Sequence, residues 1–280
     1  MPTNTATAPS SKINPQNYQY LCDAVYRDSG IVLDESKHYL IEARLAPVAR
    51  NAGAADLDSL CNLLRSVSGR QWREKVVEAM TTNETLFFRD IKPFEGLRQH
   101  VIPELTAKQR PNKTLRILSA ACSSGQEAYS IAMLFHEMRI PGWKLDILGV
   151  DLSDEILAKA ERGRYQQLEV NRGLPASYLV KYLRRDETVW EVKPEIRAMT
   201  RWRKFNLLDD PALLGTFDII MCRNVLIYFD QKTKSRILKR LRSRLIPGGY
   251  LFLGASETTL NLDDVFVRKN VGPAIAYQNP

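Results

Sequence analysis

The chain has 280 residues, enough for one large domain or two modest ones around a well-buried core. Hydrophobic residues make up 44% and charged residues 26%, ordinary values for a globular protein, and no apolar run approaches the length of a membrane span. Four scattered cysteines (Cys22, Cys61, Cys122, Cys222) and three histidines (His38, His100, His136) lack paired or ligand spacing, so neither a disulfide framework nor a metal site is suggested. The net charge of +8 suits either a solvated basic surface or an acidic partner. No aromatic-interleaved basic motif, zinc finger or RNP pattern marks the chain for nucleic acid.

In chain order, residues 1–12 (MPTNTATAPSSK) are small and polar without a basic-then-apolar signal layout. A short disordered tail and a cytoplasmic protein are expected. Residues 13–80 carry helical periodicity throughout. YQYLCDAVYRDSG ends at Gly30, a plausible C-terminal cap. SKHYLIEARLAPVARNAG presents an apolar stripe of Leu40, Ile41, Leu45 and Val48, with Lys37, Arg44 and Arg50 on its other faces. SLCNLLRSVSG and WREKVVEAMTT give two further helical segments, so an all-helical N-terminal domain is expected. Residues 81–97 read as a linker between this domain and an α/β part.

From residue 98 onward the reading is an α/β domain. The strand candidates LRILSA, LDILGV, FDIIMC and YLFLGA alternate with helices, which argues a mostly parallel sheet. DQKTKSRILKRLRSRL (230–245) reads as a helix with an apolar side and a solvated basic side, stopped by Pro247-Gly248-Gly249. The irregular stretch 166–203 reads as a small antiparallel insertion, and AIAYQ as a final antiparallel strand.

The densest signal is LRILSAACSSGQEAYSIAM (115–133): a buried strand, a turn of small residues and an amphipathic helix. One unit later DILGVDLSDEILAKA (146–160) gives a second strand closed by Asp151. Small residues let a ligand approach the backbone, and a carboxylate at the next strand end accepts from ribose hydroxyls. A dinucleotide site would place G-x-G-x-x-G at the helix N-terminus to seat a pyrophosphate. Here residues 121–125 (ACSSG) hold one glycine, and Glu127 opens the helix. A side-chain carboxylate there suits the ammonium of a methionine moiety, which favours S-adenosylmethionine over NAD.

Together these motifs resemble the chemotaxis-receptor glutamate O-methyltransferases, the CheR family. The residues carrying the resemblance are TNETLFFRD (82–90), ILSAACSSGQEAYSIAM, GVDLSDEILAKA, GRY (163–165), FNLLDD (205–210), FDIIMCRNVLIYFD (217–230) and PGGYLFLGASE (247–257). The match runs from about residue 13 to the C-terminus and is specific as an ordered set. It implies a Rossmann-like S-adenosylmethionine-dependent methyltransferase sheet, an N-terminal all-helical domain and a small inserted antiparallel β-subdomain. It also implies transfer of methyl groups to receptor glutamates with S-adenosylhomocysteine as second product.

Several positions admit two readings from the residues alone. Glu127 suits either the cofactor ammonium or the positive end of its own helix. Asp151 suits either ribose binding or capping of the helix near Ser153. Asn206 and Leu207 read as an ordinary strand-end turn, whereas the resemblance implies that they lie beside the adenine; Tyr228 suits either the methyl-transfer pocket or a core or rim aromatic. Asn83, Thr85 and Arg89 lie in the linker, where Asn83 is also a capping residue type. The resemblance implies cofactor contact for Asn83, Thr85, Arg89, Glu127, Asp151, Asn206, Leu207, Arg223 and Asn224, with Arg89 and Tyr228 nearest the chemistry. Cys122 and Cys222 read as small buried residues rather than nucleophiles.

A glutamate carboxylate is ionised at neutral pH, so the expected catalysis is alignment and desolvation with neither catalytic dyad nor metal. The partner implied is the chemoreceptor cytoplasmic helical bundle, docked on Lys37, Arg44 and Arg50. Nothing demands membrane insertion or more than a monomer. Family members that tether to a receptor C-terminal peptide have a longer, glycine-containing loop in the β-subdomain; YLRRDETVWEVKPEI is short and lacks glycine, which points to the non-tethering kind. A cofactor-binding regulatory module and a methyltransferase for small molecules or nucleic acid are the alternatives, the latter without an N-P-P-Y-like element.

Overall fold

The computed structural model describes residues 13–108 and 112–280. The expected tail, residues 1–12, lies outside the described residues. The chain divides into two compact units, Met1–Thr82 and Asn83–Pro280.

The first unit is helical: α1 (Pro15–Ser29), α2 (His38–Asn51), α3 (Leu57–Arg65) and α4 (Arg70–Met80). Sequence signals place the ends. The Asn14 side chain accepts from the Gln16 N–H with Pro15 in the first turn, and Gly30 closes α1 in the left-handed region. Asp56 caps α3 by accepting from the Ser59 N–H at 2.7 Å. Leu21, Val25, Ile41, Leu45, Leu60, Leu64 and Val76 fill the core between the helices. Lys37 lies outside α2, in the 3-10 turn Glu35–Lys37 that precedes it.

The second unit opens with α5 (Lys92–Gly96), a π-helical turn (Leu97–Val101) and α6 (Ile102–Ala107). Then come β1 (Thr114–Ala120), α7 (Gln126–Met138), β2 (Lys144–Asp151) and α8 (Asp154–Arg162). Next are β3 (Arg164–Gln166), α9 (Gln167–Asn171), α10 (Ala176–Tyr182), β4 (Leu183–Asp186), β5 (Val189–Val192) and α11 (Pro194–Arg197). The chain closes with β6 (Thr200–Lys204), β7 (Phe217–Cys222), α12 (Gln231–Arg242), β8 (Leu245–Leu253), β9 (Val267–Val271) and β10 (Ala274–Gln278).

Seven strands form one sheet in the order β6-β2-β1-β7-β8-β10-β9. β6, β2, β1, β7 and β8 pair in parallel, and β10 pairs antiparallel with both β8 and β9. The Rossmann-like sheet therefore exists as expected, with helices between parallel strands. The order reverses between β1 and β7, and ligands of such sheets bind where the strands' C-terminal ends diverge at that reversal. A separate three-stranded antiparallel sheet, β3-β5-β4, forms the insertion.

Three sequence boundaries change. Thr200–Lys204, read as the end of the insertion, is a main-sheet strand in parallel register with β2. Residues 83–97 of the expected linker belong to the second unit. Phe87, Phe88, Phe94 and Leu97 are buried in the core of the second unit, and Phe87 meets Tyr165 edge-on. The basic helix stops at Arg242 rather than 245, and β8 begins at Leu245 and runs through Pro247-Gly248-Gly249. Leu245 continues the apolar period of Leu241, but its backbone is in register with Phe217 of β7 instead.

Candidate functional site

Three loops meet at the C-terminal ends of β1, β2 and β7. The first, residues 121–125, follows β1 and turns sharply: Ala121, Ser123 and Gly125 have φ of +57°, +50° and +92°. Gly125 is required twice over. Its left-handed backbone favours glycine, and a Cβ there would lie 2.8 Å from the Trp202 ring. The second loop, residues 83–90, carries Arg89 between two left-handed residues, Phe88 at +49° and Asp90 at +60°. The third follows β7 and contains Asn224 at φ +58°. Five of the eight positive-φ non-glycine residues among the described residues lie in these loops. Such conformations cost on the order of 1–3 kcal/mol each and persist where surrounding contacts hold them.

Those contacts are specific. The Ser123 hydroxyl donates to the Asn83 carbonyl at 2.7 Å, tying the first loop to the second. The Phe88 N–H donates to the Ser130 hydroxyl at 2.9 Å, fixing the turn that presents Arg89. Tyr165, buried in the core, donates from its hydroxyl to the Ser124 carbonyl at 2.7 Å. Arg89 itself is half-buried and donates to the Glu84 carbonyl at 3.1 Å.

Arg223 joins all of this. Its Nη1 donates to Glu127 Oε2 at 2.9 Å, and its Nη2 to the Arg89 carbonyl at 2.7 Å and Asp90 Oδ2 at 3.0 Å. The side chain is only 2% exposed, its Nε is buried without a hydrogen-bond partner, and its guanidinium lies 5.6 Å from the Phe94 ring centroid. The sequence motif points Arg223 at the cofactor. The structure encloses the guanidinium among Glu127, Asp90 and the Arg89 turn, because a cation leaving a buried strand needs anionic partners at once. Glu127, in the first turn of α7, also receives the Ser119 hydroxyl at 2.8 Å on Oε1.

Asp151 ends β2 and is buried. Its Oδ2 accepts from the Ser123 N–H at 2.9 Å and its Oδ1 from the Ser153 N–H at 3.2 Å. It does not cap α8; Ser153 does, accepting from the Ile156 N–H. Asn206 and Leu207 follow β6, with Phe205 N–H bound to the Asp151 carbonyl at 2.9 Å and Asn206 Oδ1 accepting from Leu208 N–H at 3.0 Å. Thr85 is half-buried in the second loop. Tyr228 is half-buried in the 3-10 turn Leu226–Tyr228. The loops thus gather Asn83, Thr85, Arg89, Glu127, Asp151, Asn206, Leu207, Asn224 and Tyr228 along one edge of the second unit.

Cys122 and Cys222 are fully buried, and burial beside Asp151 and Glu127, or Glu257 and Glu127, pushes both thiols well above their usual range. Neither is a nucleophile at neutral pH. Among the described residues no group of three or more His, Cys, Asp or Glu side chains is gathered as for a metal ion. No helix among them is long and apolar enough to cross a membrane.

Lys37, Arg44 and Arg50 do not form one row. In the first unit Arg44 donates to the Met80 carbonyl at 3.0 Å, the Thr81 carbonyl at 2.8 Å and the Thr82 hydroxyl at 3.1 Å. It is spent on the carbonyl end of α4. Arg50 is exposed.

Ser119, Asp90, Ser130 and Glu257 belong to the edge and are not singled out by the sequence. A serine inside the apolar run LRILSA is the available signal for Ser119. The others are set by contacts across the fold.

Residues 83–272 match the family model described as the CheR methyltransferase SAM-binding domain, and residues 16–81 the CheR methyltransferase all-alpha domain. A protein of Pseudomonas putida named chemotaxis protein methyltransferase Cher2 is 45% identical over 255 residues, covering 89% of this chain and 92% of that one. Chemotaxis protein methyltransferase 1 of Pseudomonas aeruginosa has the same identity and coverage. The chemotaxis protein methyltransferase of Vibrio parahaemolyticus is 41% identical over 271 residues, covering 95% of this chain and 98% of that one.

Proposed function

The chain belongs to the CheR methyltransferase family, and on that premise we propose that it methylates glutamate side chains of chemoreceptors. The products are glutamyl methyl esters and S-adenosylhomocysteine, and the setting is cytoplasmic sensory adaptation.

The observation that carries this reading is the charge at the β1–β7 edge. Two cations, Arg223 and Arg89, stand among three carboxylates, Glu127, Asp90 and Asp151. That edge suits a ligand bearing an ammonium and ribose hydroxyls, and it repels a diphosphate. The residues present therefore fit S-adenosylmethionine. Glu127 would hold its ammonium and Asp151 its ribose. Asn206 and Leu207 would face its adenine, and Asn83, Thr85, Arg89 and Asn224 would complete the enclosure.

When bound, S-adenosylmethionine supplies a methyl group already activated on a sulfonium. The protein's own residues then have a positioning task. The acceptor glutamate is ionised at neutral pH, so no general base is needed. Arg89 would pair with the cofactor's own carboxylate and Tyr228 would line the methyl-transfer pocket, and such alignment supplies much of the rate. The strained, pinned turns around Arg89 and Asn224 keep that geometry preorganised. Because opposite charges are neutralised as the ester forms, a water-poor edge favours the reaction.

The positive charge of the whole chain suits an acidic receptor bundle, with Arg50 the docking candidate that remains accessible. β4 and β5 are joined through Glu187 and Thr188 alone, with Glu187 at φ +52°. So short a hairpin supports action without a receptor peptide tether; tight binding of such a peptide in a titration would contradict that.

The experiment is transfer of label from methyl-labelled S-adenosylmethionine to a chemoreceptor cytoplasmic domain, scored as methanol released by mild base. Carboxyl methyl esters release it and N-methyl groups do not. Stable label, or S-adenosylhomocysteine binding without transfer, would displace the proposal.

A further inference from the structure

Glu257 lies in the loop after β8. Its Oε2 accepts from the Asn224 N–H at 2.8 Å and the Gly254 N–H at 2.6 Å. Its Oε1 accepts from the Val225 N–H at 3.0 Å and the Ile227 N–H at 3.3 Å. One carboxylate thus holds four backbone amides drawn from two loops.

Those amides need such a partner. Asn224 stands at φ +58°, and Leu226–Tyr228 is a three-residue 3-10 turn. A single turn of that kind does not hold its shape unaided. Charge-assisted hydrogen bonds to a carboxylate are roughly twice as strong as neutral ones. Gly254 completes the fit: a Cβ there would lie 2.6 Å from Glu257 Oε2, 2.8 Å from Asn224 N and 2.8 Å from Asn224 Nδ2. The two loops approach this closely only with glycine at 254.

The turn so held carries Asn224 and Tyr228, with Arg223 at its start. We infer that Glu257 is a positioning residue for methyl transfer: through the N–H groups of Asn224, Val225 and Ile227 it fixes the turn that carries Asn224 at the cofactor edge and Tyr228 at the acceptor edge. The inference rests on the reading of this edge as the S-adenosylmethionine site.

Two substitutions attack the contact from opposite sides. Glu257→Gln keeps the shape but turns an NH2 toward backbone N–H donors. Gly254→Ala keeps Glu257 and wedges a methyl group between it and Asn224. A third variant, Asp263→Asn, weakens the buried pair with Arg242 (2.9 Å) away from the edge and serves as a stability control. The full chain is assayed for S-adenosylhomocysteine affinity by calorimetry, for kcat and KM on the receptor domain, and for Tm. Glu257→Gln and Gly254→Ala should each lower kcat about 10- to 100-fold and weaken S-adenosylhomocysteine binding. Asp263→Asn, at comparable loss of Tm, should retain both. Unchanged kcat and affinity in Glu257→Gln, or losses that merely track Tm as in Asp263→Asn, would overturn the inference. Failure of the unmutated protein to bind S-adenosylhomocysteine would instead overturn the underlying reading of the site.

Discussion

Arg223 and Glu127 form an ion pair of 2.9 Å across the point where the sheet reverses its strand order, one residue following β7 and the other opening α7 after β1. The pair sits between side chains 2% and 13% exposed, and Arg223 also holds Asp90. Removing one member of a buried pair strands the other and costs about 3–5 kcal/mol. Arg223→Ala should therefore lower stability by that order in thermal or denaturant unfolding. It should also abolish detectable methyl transfer, since the Arg89 turn loses its anchor. Glu127→Gln, which keeps a hydrogen-bond acceptor, should cost less stability but still weaken S-adenosylhomocysteine binding.

Asp151→Asn removes the charge at the proposed ribose position and one of the two acceptors that hold the loops. One amide oxygen can still accept from the Ser123 N–H at the observed 2.9 Å, while the negative charge is gone. A hydrogen bond to a charged group contributes about 1.5–3 kcal/mol, so S-adenosylhomocysteine affinity should fall about 10- to 100-fold by calorimetry. Melting temperature should fall as well, because the amide NH2 then faces the Ser153 N–H from which Oδ1 accepts at 3.2 Å.

The insertion should loosen in acid. Hydrogen bonding from Arg184, with Arg197 adding its charge, holds the Glu191 carboxyl below its usual range. A depressed carboxyl pKa contributes stability that is full above the unfolded value, about 4.3, and is lost as pH falls through the folded value. Wild type and Glu191→Gln should differ in Tm at pH 7 and converge only once pH has fallen below the depressed folded value. A constant difference across that range would count against the assignment.

Arg44 and Arg50 should part company. Arg44→Ala removes three hydrogen bonds at the end of α4, on the order of 1 kcal/mol each, and should lower the stability of the helical unit. Arg50→Glu should leave Tm unchanged and raise KM for the receptor domain without altering S-adenosylhomocysteine affinity. Unaltered KM would remove Arg50 from the docking surface.

Legibility in the sequence followed burial and separation along the chain. FDIIMC was plain because all six residues are buried, which gives a continuous apolar run. β9 was missed because Val267–Asn270 are all exposed, so an edge strand left no alternation to read. β6 reads as part of the insertion because its TRWRK is charged, and only pairing with β2 reveals its place. At the site, Glu127 and Asp151 could be found from their positions after two strands. The partners of Arg223 could not, since Glu127 lies 96 residues away and Arg89 134. Nor does sequence spacing disclose that Glu257 closes on Asn224.

We propose that this edge directs a methyl group onto a glutamate carboxylate. The most direct measurement is mass spectrometry of a chemoreceptor cytoplasmic domain incubated with the protein and S-adenosylmethionine, with fragments sequenced before and after mild base. One methyl increment per modified glutamate is expected, removed by base and absent with Asp151→Ala. Increments on lysine, arginine or other base-stable positions, or none on a receptor domain while S-adenosylhomocysteine binds, would contradict it.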